Sequence, residues 1–456
     1  MRESGESILQ HRQNFMKNTP TSAPSFAAKS STFRVRQDDS RTAMYCGRPR
    51  NRYETVPTIL LHPVFGQFVH DCETVIPGPE DNHFAERLAD VASGFFDNEA
   101  SRVEAIDQEF RGYHLHFITT QMSSKYTTDK AMCANGHHFA IIEYKNEMAG
   151  TSSEAYHQVI NYYFEWTRQT ALAFWTSPLP CLLVIILGPY IAFAGAAWNQ
   201  RPTIQMLSDF VALNFHPLDS LRCERVARHM IALRNAIGTL KGYYEALLEP
   251  SPSSPSSKLS RLFPHPSSYI SLQDGSRKSF QYTDRFSRLL FSGIQDGDPI
   301  CIKFVQSYGL EAHKYLAELG CAPTLRGFES IGGGWCFVVM DMLSGYQTLQ
   351  DYQGSELKPS VVEAIHESLR LFHQAGYVHG DIRDTNIMVS EPGDHLMIVD
   401  LDWGGNAGVA RYPARVNFEE IERPLDARDG SLITKEHDHF MINTIKVLQN
   451  TTARCC

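Results

Sequence analysis

His379-Gly380-Asp381-Ile382-Arg383-Asp384-Thr385-Asn386 sets a carboxylate two residues after a histidine and an amide five residues after that carboxylate. Phosphoryl transfer to a hydroxyl needs such a set: a carboxylate to accept the hydroxyl proton, and oxygen ligands for the Mg²⁺ that offsets phosphate charge. In this spacing Asp381 is the candidate base and Asn386 a candidate Mg²⁺ ligand. Asp400, 14 positions after Asn386 at the end of the apolar run Leu396-Met397-Ile398-Val399, supplies a second candidate ligand. Arg383, two residues after the base, offers a cation to the transferring group, with a planar donor geometry that lysine lacks. The same chemistry calls for a lysine to hold nucleotide phosphates and a glutamate to hold the lysine. Lys303 in Ile300-Cys301-Ile302-Lys303-Phe304 is the candidate lysine; Glu311, 8 residues further on, is its candidate partner, with Glu318 as the alternative.

The elements around these residues are expected from pattern. Residues 359–374 carry Val362, Ile365, Leu369 and Phe372 at spacings of 3, 4 and 3, an apolar stripe on one helical face, and Gly376 follows as a stop. The chain then enters the loop directly. Ile387-Met388-Val389, a turn with Pro392-Gly393, and the run ending at Val399 read as a hairpin that returns Asp400 beside Asn386. Alternation around Lys303 after the Asp296-Gly297 turn reads as a strand, and 308–319 as a helix. Gly332-Gly333-Gly334 precedes the strand 335–340 and reads as a turn, not a phosphate cradle. Asp341-Met342-Leu343 follows, where backbone groups of Asp341 and Leu343 would meet adenine. No G-x-G-x-x-G stands before Lys303; Gly275, Gly293 and Gly297 are the glycines available for a nucleotide cover, with Gly275 the candidate.

Taken together, residues from about 280 to 445 resemble the protein-kinase-like superfamily. Gly380 in the H-G-D form is similar to its small-molecule and sugar phosphotransferases, and the run His379 to Asn386 with Asp400-Leu401-Asp402-Trp403 resembles a group of fungal kinase-like proteins. The resemblance implies a two-lobed fold with ATP and Mg²⁺ in the cleft, Asp381 as base, Asn386 and Asp400 as metal ligands, and Lys303 with Glu311 on the phosphates. Departures are plain: Asp400-Leu401-Asp402 replaces D-F-G, with Asp402 a further ligand or a structural anchor, and no A-P-E follows. His437-Asp438 matches a buried aspartate of a large-lobe helix or an ordinary N-cap. The expected activity is a protein Ser/Thr kinase-like phosphotransferase. A sugar or other small-molecule kinase is one alternative. A pseudokinase or nucleotide-binding scaffold, motivated by the missing glycine loop and the 56 residues after Asp400, is the other.

A chain of 456 residues, 43% hydrophobic and 20% charged, can bury at least two sizeable cores, and a formal charge of −9 excludes a polyanion binder overall. Residues 1–52 hold 10 Lys/Arg against 4 Asp/Glu with little periodicity and are expected to be a disordered basic arm; Arg48, Arg50 and Arg52 would serve import or nucleic-acid contact, or simply be solvated. Ten cysteines without paired CxxC spacing suggest reduced thiols and an intracellular place, cytoplasmic or nuclear. The terminal Cys455-Cys456 is not a C-a-a-X box, and the N-terminus lacks the apolar core of a signal peptide. The uncharged 19-residue run 180–198 is divided by Gly188-Pro189, so two buried strands and a turn are expected in place of a membrane span. The Ser/Pro-rich stretch 249–268 reads as a linker before the kinase-like domain, 269–450.

The module before the linker, 53–248, has its own constellation. Ala140-Ile141-Ile142-Glu143-Tyr144-Lys145 is a strand with Glu143 and Lys145 on one face, Asp129 stands 14 residues before Glu143, and Gln158 lies in an expected helix, 153–167. The set resembles the PD-(D/E)xK nuclease-like fold, which implies Mg²⁺ on Asp129 and Glu143, Lys145 assisting the attacking water, Gln158 in support, and contact with nucleic acid. An exposed charged strand face explains Glu143 and Lys145 equally. His137-His138 is expected in a loop. The whole chain is thus expected to be α+β: a two-lobed kinase-like domain preceded by an α/β nuclease-like module, with ATP and a protein substrate as partners and no membrane.

Overall fold

The computed structural model describes residues 7–50, 55–120, 126–128, 130–148, 153–249, 261–354 and 357–449. The fold is mixed α+β, in two compact units, Met1–Pro266 and Ser267–Cys456.

In the first unit, α1 (Ile8–Asn18), α2 (Pro24–Ala27), α3 (Ser30–Asp38), α4 (Thr58–Leu61), α5 (Pro63–Thr74), α6 (Pro79–Ala92) and α7 (Glu99–Gly112) precede the sheet. The strands are β1 (Lys130–Ala134), β2 (His137–Lys145), β3 (Cys181–Leu187), β4 (Tyr190–Trp198), β5 (Pro202–Met206) and β6 (Val211–Ala212), in the order β1-β2-β3-β4-β5 with β6 on β4. Helix α8 (Ala155–Ala173) links β2 to its parallel neighbour β3, as a parallel pair requires a crossover, and α9 (Ser220–Glu245) follows the sheet. The uncharged run is the expected antiparallel hairpin of β3 and β4, and no helix among the described residues is long and apolar enough to cross a membrane. His137 and His138 open β2 and are not in a loop. Leu262 exchanges hydrogen bonds with Asn199, and His265 donates from its backbone N–H to the Leu60 carbonyl, so the end of the expected linker packs on this unit; residues 250–260 lie outside the described residues.

The expected disordered arm is instead helical over α1 and α3. Ile8, Arg12 and Phe15 share one buried face of α1, and Phe33 of α3 stacks on His157 at 3.8 Å between centroids. Composition misleads here because the buried stripe contains an arginine. The Arg12 guanidinium donates to the carbonyls of Ala171 (2.9 Å), Ser177 (3.1 Å) and Asn199 (2.8 Å) and lies over the Trp198 ring. It thus satisfies the Ala171 carbonyl at the C-terminal end of α8, where the helix dipole favours a cation. Burial pulls its pKa down to about 9, against the pull of Tyr163 and Tyr243, so it stays charged at neutral pH. Arg52 lies outside the described residues. Replacing Arg12 by Ala strips these carbonyls of their donor and is expected to cost about 3 kcal/mol, read as a lower denaturation midpoint of the full chain; an unchanged midpoint would show that the contacts are not formed.

The second unit opens with the hairpin β7 (Ser268–Ile270) and β8 (Arg277–Ser279). An antiparallel sheet follows, of β9 (Gln281–Ser287), β10 (Leu290–Gln295), β11 (Asp298–Val305), β12 (Leu325–Gly332) and β13 (Trp335–Asp341), in the order β12-β13-β11-β10-β9. Helix α10 (Leu310–Glu318) lies between β11 and β12, and the three glycines form the β12–β13 turn. Beyond residue 345 come β14 (Tyr346–Thr348), α11 (Pro359–Gln374), β15 (Tyr377–Val378), β16 (Ile387–Ser390), β17 (Leu396–Ile398), β18 (Gly405–Asn406), α12 (Lys435–Thr444) and α13 (Lys446–Gln449). The α11 stripe of Val362, Ile365, Leu369 and Phe372 is buried against Ile382, Ile387, Ile398 and Leu401 from the loop and hairpin and Met441 and Ile442 from α12. This apolar contact fixes the loop between α11 and β16.

Candidate active site

Lys303 sits on β11, between Leu290 of β10 and Val338 of β13. Alternation buries Ile300, Ile302 and Phe304 while Cys301 and Lys303 share the half-buried face. The Lys303 Nζ lies 2.7 Å from Asp400 Oδ1 and 2.6 Å from Asp402 Oδ1. The β16–β17 hairpin and the Val399 N–H, which donates to the Asn386 carbonyl at 2.9 Å, return Asp400 beside Asn386. The Gly309 N–H donates to Leu401 O, drawing the start of α10 onto the same segment; a Cβ at Gly309 would come within 2.5 Å of the Gly404 carbonyl, so only glycine permits this approach.

One ammonium serves two carboxylates. Burial pulls the Lys303 pKa down, but Asp400 and then Asp402 outweigh it and hold it above the ordinary lysine value. Burial would raise Asp400, yet Lys303 holds it below the usual range. Asp402 is pushed up to about 6 by burial, with Asp400 adding to the rise against Lys303. The site therefore carries surplus negative charge, which a divalent cation would relieve. Among the described residues no group of three or more His, Cys, Asp or Glu side chains gathers around a metal position. The donors present are the two carboxylates and Asn386, whose Nδ2 is spent on Asp381 and whose carbonyl oxygen is the group left to offer; these are hard oxygen ligands of the kind Mg²⁺ takes. Residues and cation fit in kind.

The loop carrying Asp381 is held from α12. Asp438 is fully buried; its Oδ2 accepts from the His379 backbone N–H (2.7 Å) and His373 Nε2 (3.0 Å), and its Oδ1 from the Gly380 N–H (2.7 Å). The N-cap of α12 is Thr434, so of the two roles open to Asp438 the geometry selects the buried anchor. Gly380 has φ +82°, and a Cβ there would meet Ile433 at 2.7 Å, which accounts for glycine before Asp381. His379 accepts the Asp381 N–H at Nδ1 (3.2 Å) and faces Val399 O with Nε2 (3.1 Å), an arrangement that needs the proton on Nε2. Asp381 Oδ2 accepts from Asn386 Nδ2 (3.0 Å) and pairs with Arg383 Nη2 (3.2 Å), while its Oδ1 pairs with Arg423 Nη2.

Glu311 is a correction. It is 64% exposed and pairs with Lys314 at 2.7 Å, not with Lys303; Glu318 is exposed as well. Helix α10 turns Ala312, His313 and Leu316 inward, and buried His313, its pKa lowered to about 4 by burial first and then by charges including Lys303, bonds Tyr308 and the Pro323 carbonyl. The carboxylates of the segment after β17 do what the helix was expected to do. Asp341 ends β13, where its carboxylate pairs with Arg326 (2.6 Å), and the Leu343 carbonyl accepts from the Tyr346 N–H (3.3 Å) in the connection that follows. Gly275 lies in the β7–β8 turn; the tip nearest Lys303 in register is Arg288-Leu289, between β9 and β10.

In the first unit, Lys145 Nζ lies 2.5 Å from Glu143 Oε1, 3.0 Å from the Tyr144 carbonyl and 3.7 Å from Glu99 Oε2 at the start of α7. Glu143 and Lys145 are buried, so the exposed charged face does not occur. Gln158 on α8 contacts Ser153 (3.0 Å) and Tyr162 (3.5 Å); Asp129 lies outside the described residues. Glu99, Asp438 and Arg423 were not among the expected site residues with these contacts. Only the His437-Asp438 pair had left a trace in the sequence.

No family model and no curated protein matches the chain. Among solved structures, the Cydia pomonella granulovirus kinase PK-1 is similar over 28% of this chain and 53% of its own, at 16% identity and a TM-score of 0.26. The chain thus spans about half the length of that structure, and the functional reading rests on the geometry. Asp438→Ala would leave three buried donors without an acceptor; we expect about 3 kcal/mol lower stability and faster amide exchange at His379 and Gly380, and unchanged exchange at both amides would contradict the anchor.

Proposed function

We propose that residues 267–449 form an ATP- and Mg²⁺-dependent phosphotransferase with a kinase-like fold, acting on a Ser or Thr hydroxyl of a protein. The observation that carries the reading is that Lys303 Nζ meets Asp400 Oδ1 at 2.7 Å across 97 residues of sequence, while Asp381 and Asn386 pair on the adjoining loop. ATP would supply the transferable phosphoryl group, and Mg²⁺ would offset its charge. Lys303 would hold the phosphates, exchanging part of its carboxylate pairing for them. Asn386, Asp400 and Asp402 would hold the cation. Asp381 would take the proton of the acceptor hydroxyl, and Arg383 would face the transferring charge.

Asp381→Ala is expected to lower Mg²⁺-dependent ATP turnover at least about a hundredfold, and Lys303→Met to weaken nucleotide binding; equal turnover in wild type and Asp381→Ala removes Asp381 as the base. Transfer to sugars or other metabolites with none to peptides would select the small-molecule reading. Nucleotide binding without phosphate release would select the scaffold.

A second reading concerns the first unit. Buried Lys145, set between Glu143 and Glu99 on a β2–α8–β3 crossover, favours a nuclease-like site that engages nucleic acid, with the intracellular place suggested by the cysteines, cytoplasmic or nuclear. Mg²⁺-dependent DNA cutting lost in Lys145→Ala is the expected result. Absence of DNA binding at low salt counts against it, because phosphate contacts give salt-sensitive affinity.

A further inference from the structure

Arg423 lies 42 residues beyond Asp381 in Glu422-Arg423-Pro424, and its side chain is 1% exposed. Its Nη2 donates to Asp381 Oδ1, its Nη1 to the Gly380 carbonyl (3.2 Å) and its Nε to the Asn417 carbonyl (3.3 Å). The guanidinium also lies 5.1 Å from the centroid of the Trp403 ring. We propose that Arg423 is the positioning residue for Asp381, so that the segment between β18 and α12 fixes Oδ1 of a carboxylate whose other oxygen is held by the loop's own Asn386. The inference rests on the phosphotransferase reading and adds to it the group that orients the proton acceptor.

Two features support it. First, one guanidinium bonds both the backbone carbonyl of Gly380 and the carboxylate of the next residue, and so fixes the Asp381 side chain relative to its own loop. The arginine is itself held by Asn417 and stacked on Trp403, whereas Arg383, on the other oxygen, is 36% exposed. Second, the donor count is suited to a base. A carboxylate offers about four acceptor directions. Arg423 takes one on Oδ1 and Asn386 takes one on Oδ2, beside which Arg383 stands as an ion pair, so the second direction of Oδ1 remains for an incoming hydroxyl. Because Asp381 is only 5% exposed, bulk water cannot supply the missing orientation when Arg423 is removed.

The test compares Mg²⁺-dependent ATP hydrolysis by the full chain as wild type, Arg423→Met and Arg423→Lys. We expect kcat to fall about tenfold or more in Arg423→Met with KM for ATP within about twofold, because misplacing a reacting group costs rate without touching nucleotide binding. Arg423→Lys should recover part of the loss, since lysine restores the charge but not the planar donor pair. A kcat that is unchanged or higher in Arg423→Met overturns the proposal, the latter marking a brake. Loss of ATP affinity in step with kcat also overturns it, as a general structural defect would do that. A crystal structure of Arg423→Met gives a readout independent of turnover: Asp381 is expected to leave its single rotamer, and an unmoved carboxylate overturns the proposal. Wild-type protein without ATP turnover would sink the phosphotransferase reading alone, and the Asp381 rotamer would still decide the role of Arg423.

Discussion

The Lys303 ammonium held between Asp400 and Asp402 is the interaction on which the second unit depends. Its three charged groups come from β11 and from the segment after β17, and each is partly withdrawn from water. Withdrawing charges from water is costly unless they stay paired, so the sheet and the segment after β17 must stay in register for the pairing to persist. Two carboxylates against one ammonium also leave a deficit of positive charge at this point of the unit.

The Asp381 loop is organised by a different means. Asp438 holds the backbone of the loop through two amide hydrogen bonds, whereas Arg423 and Asn386 hold the side chain of Asp381. The backbone is thus held from α12, the side chain by the loop's own asparagine and by the segment before α12, and Arg423 reaches both. The apolar α11 stripe beneath them contributes the rigid floor, since its packing against Ile382 and Leu401 ties the loop and the carboxylate segment to one core.

What could be read in advance was whatever local pattern encodes. The α11 stripe, the β16–β17 hairpin, the glycine turn and the β3–β4 hairpin follow from periodicities of 3.6 and 2 with turn residues between. The pairing of Glu311 did not follow, because α10 turns Ala312, His313 and Leu316 inward and successive residues on a helix point about 100° apart. Spacing alone could not say whether a glutamate or His313 faces inward. Arg423 and Asp438 act 42 residues or more away from their partners, and no local pattern announces such a pair. Asp341, expected just after its strand, is the last residue of β13, and its partner Arg326 comes from another strand.

The Arg12 contact has a bearing on where the first unit begins. A boundary drawn by composition at residue 53 discards the helix whose guanidinium caps carbonyls at and after the end of α8. Any fragment starting there would carry bare carbonyl oxygens beside Trp198 and an open flank where Phe15 had packed, and its behaviour would report that wound and not the properties of the intact unit.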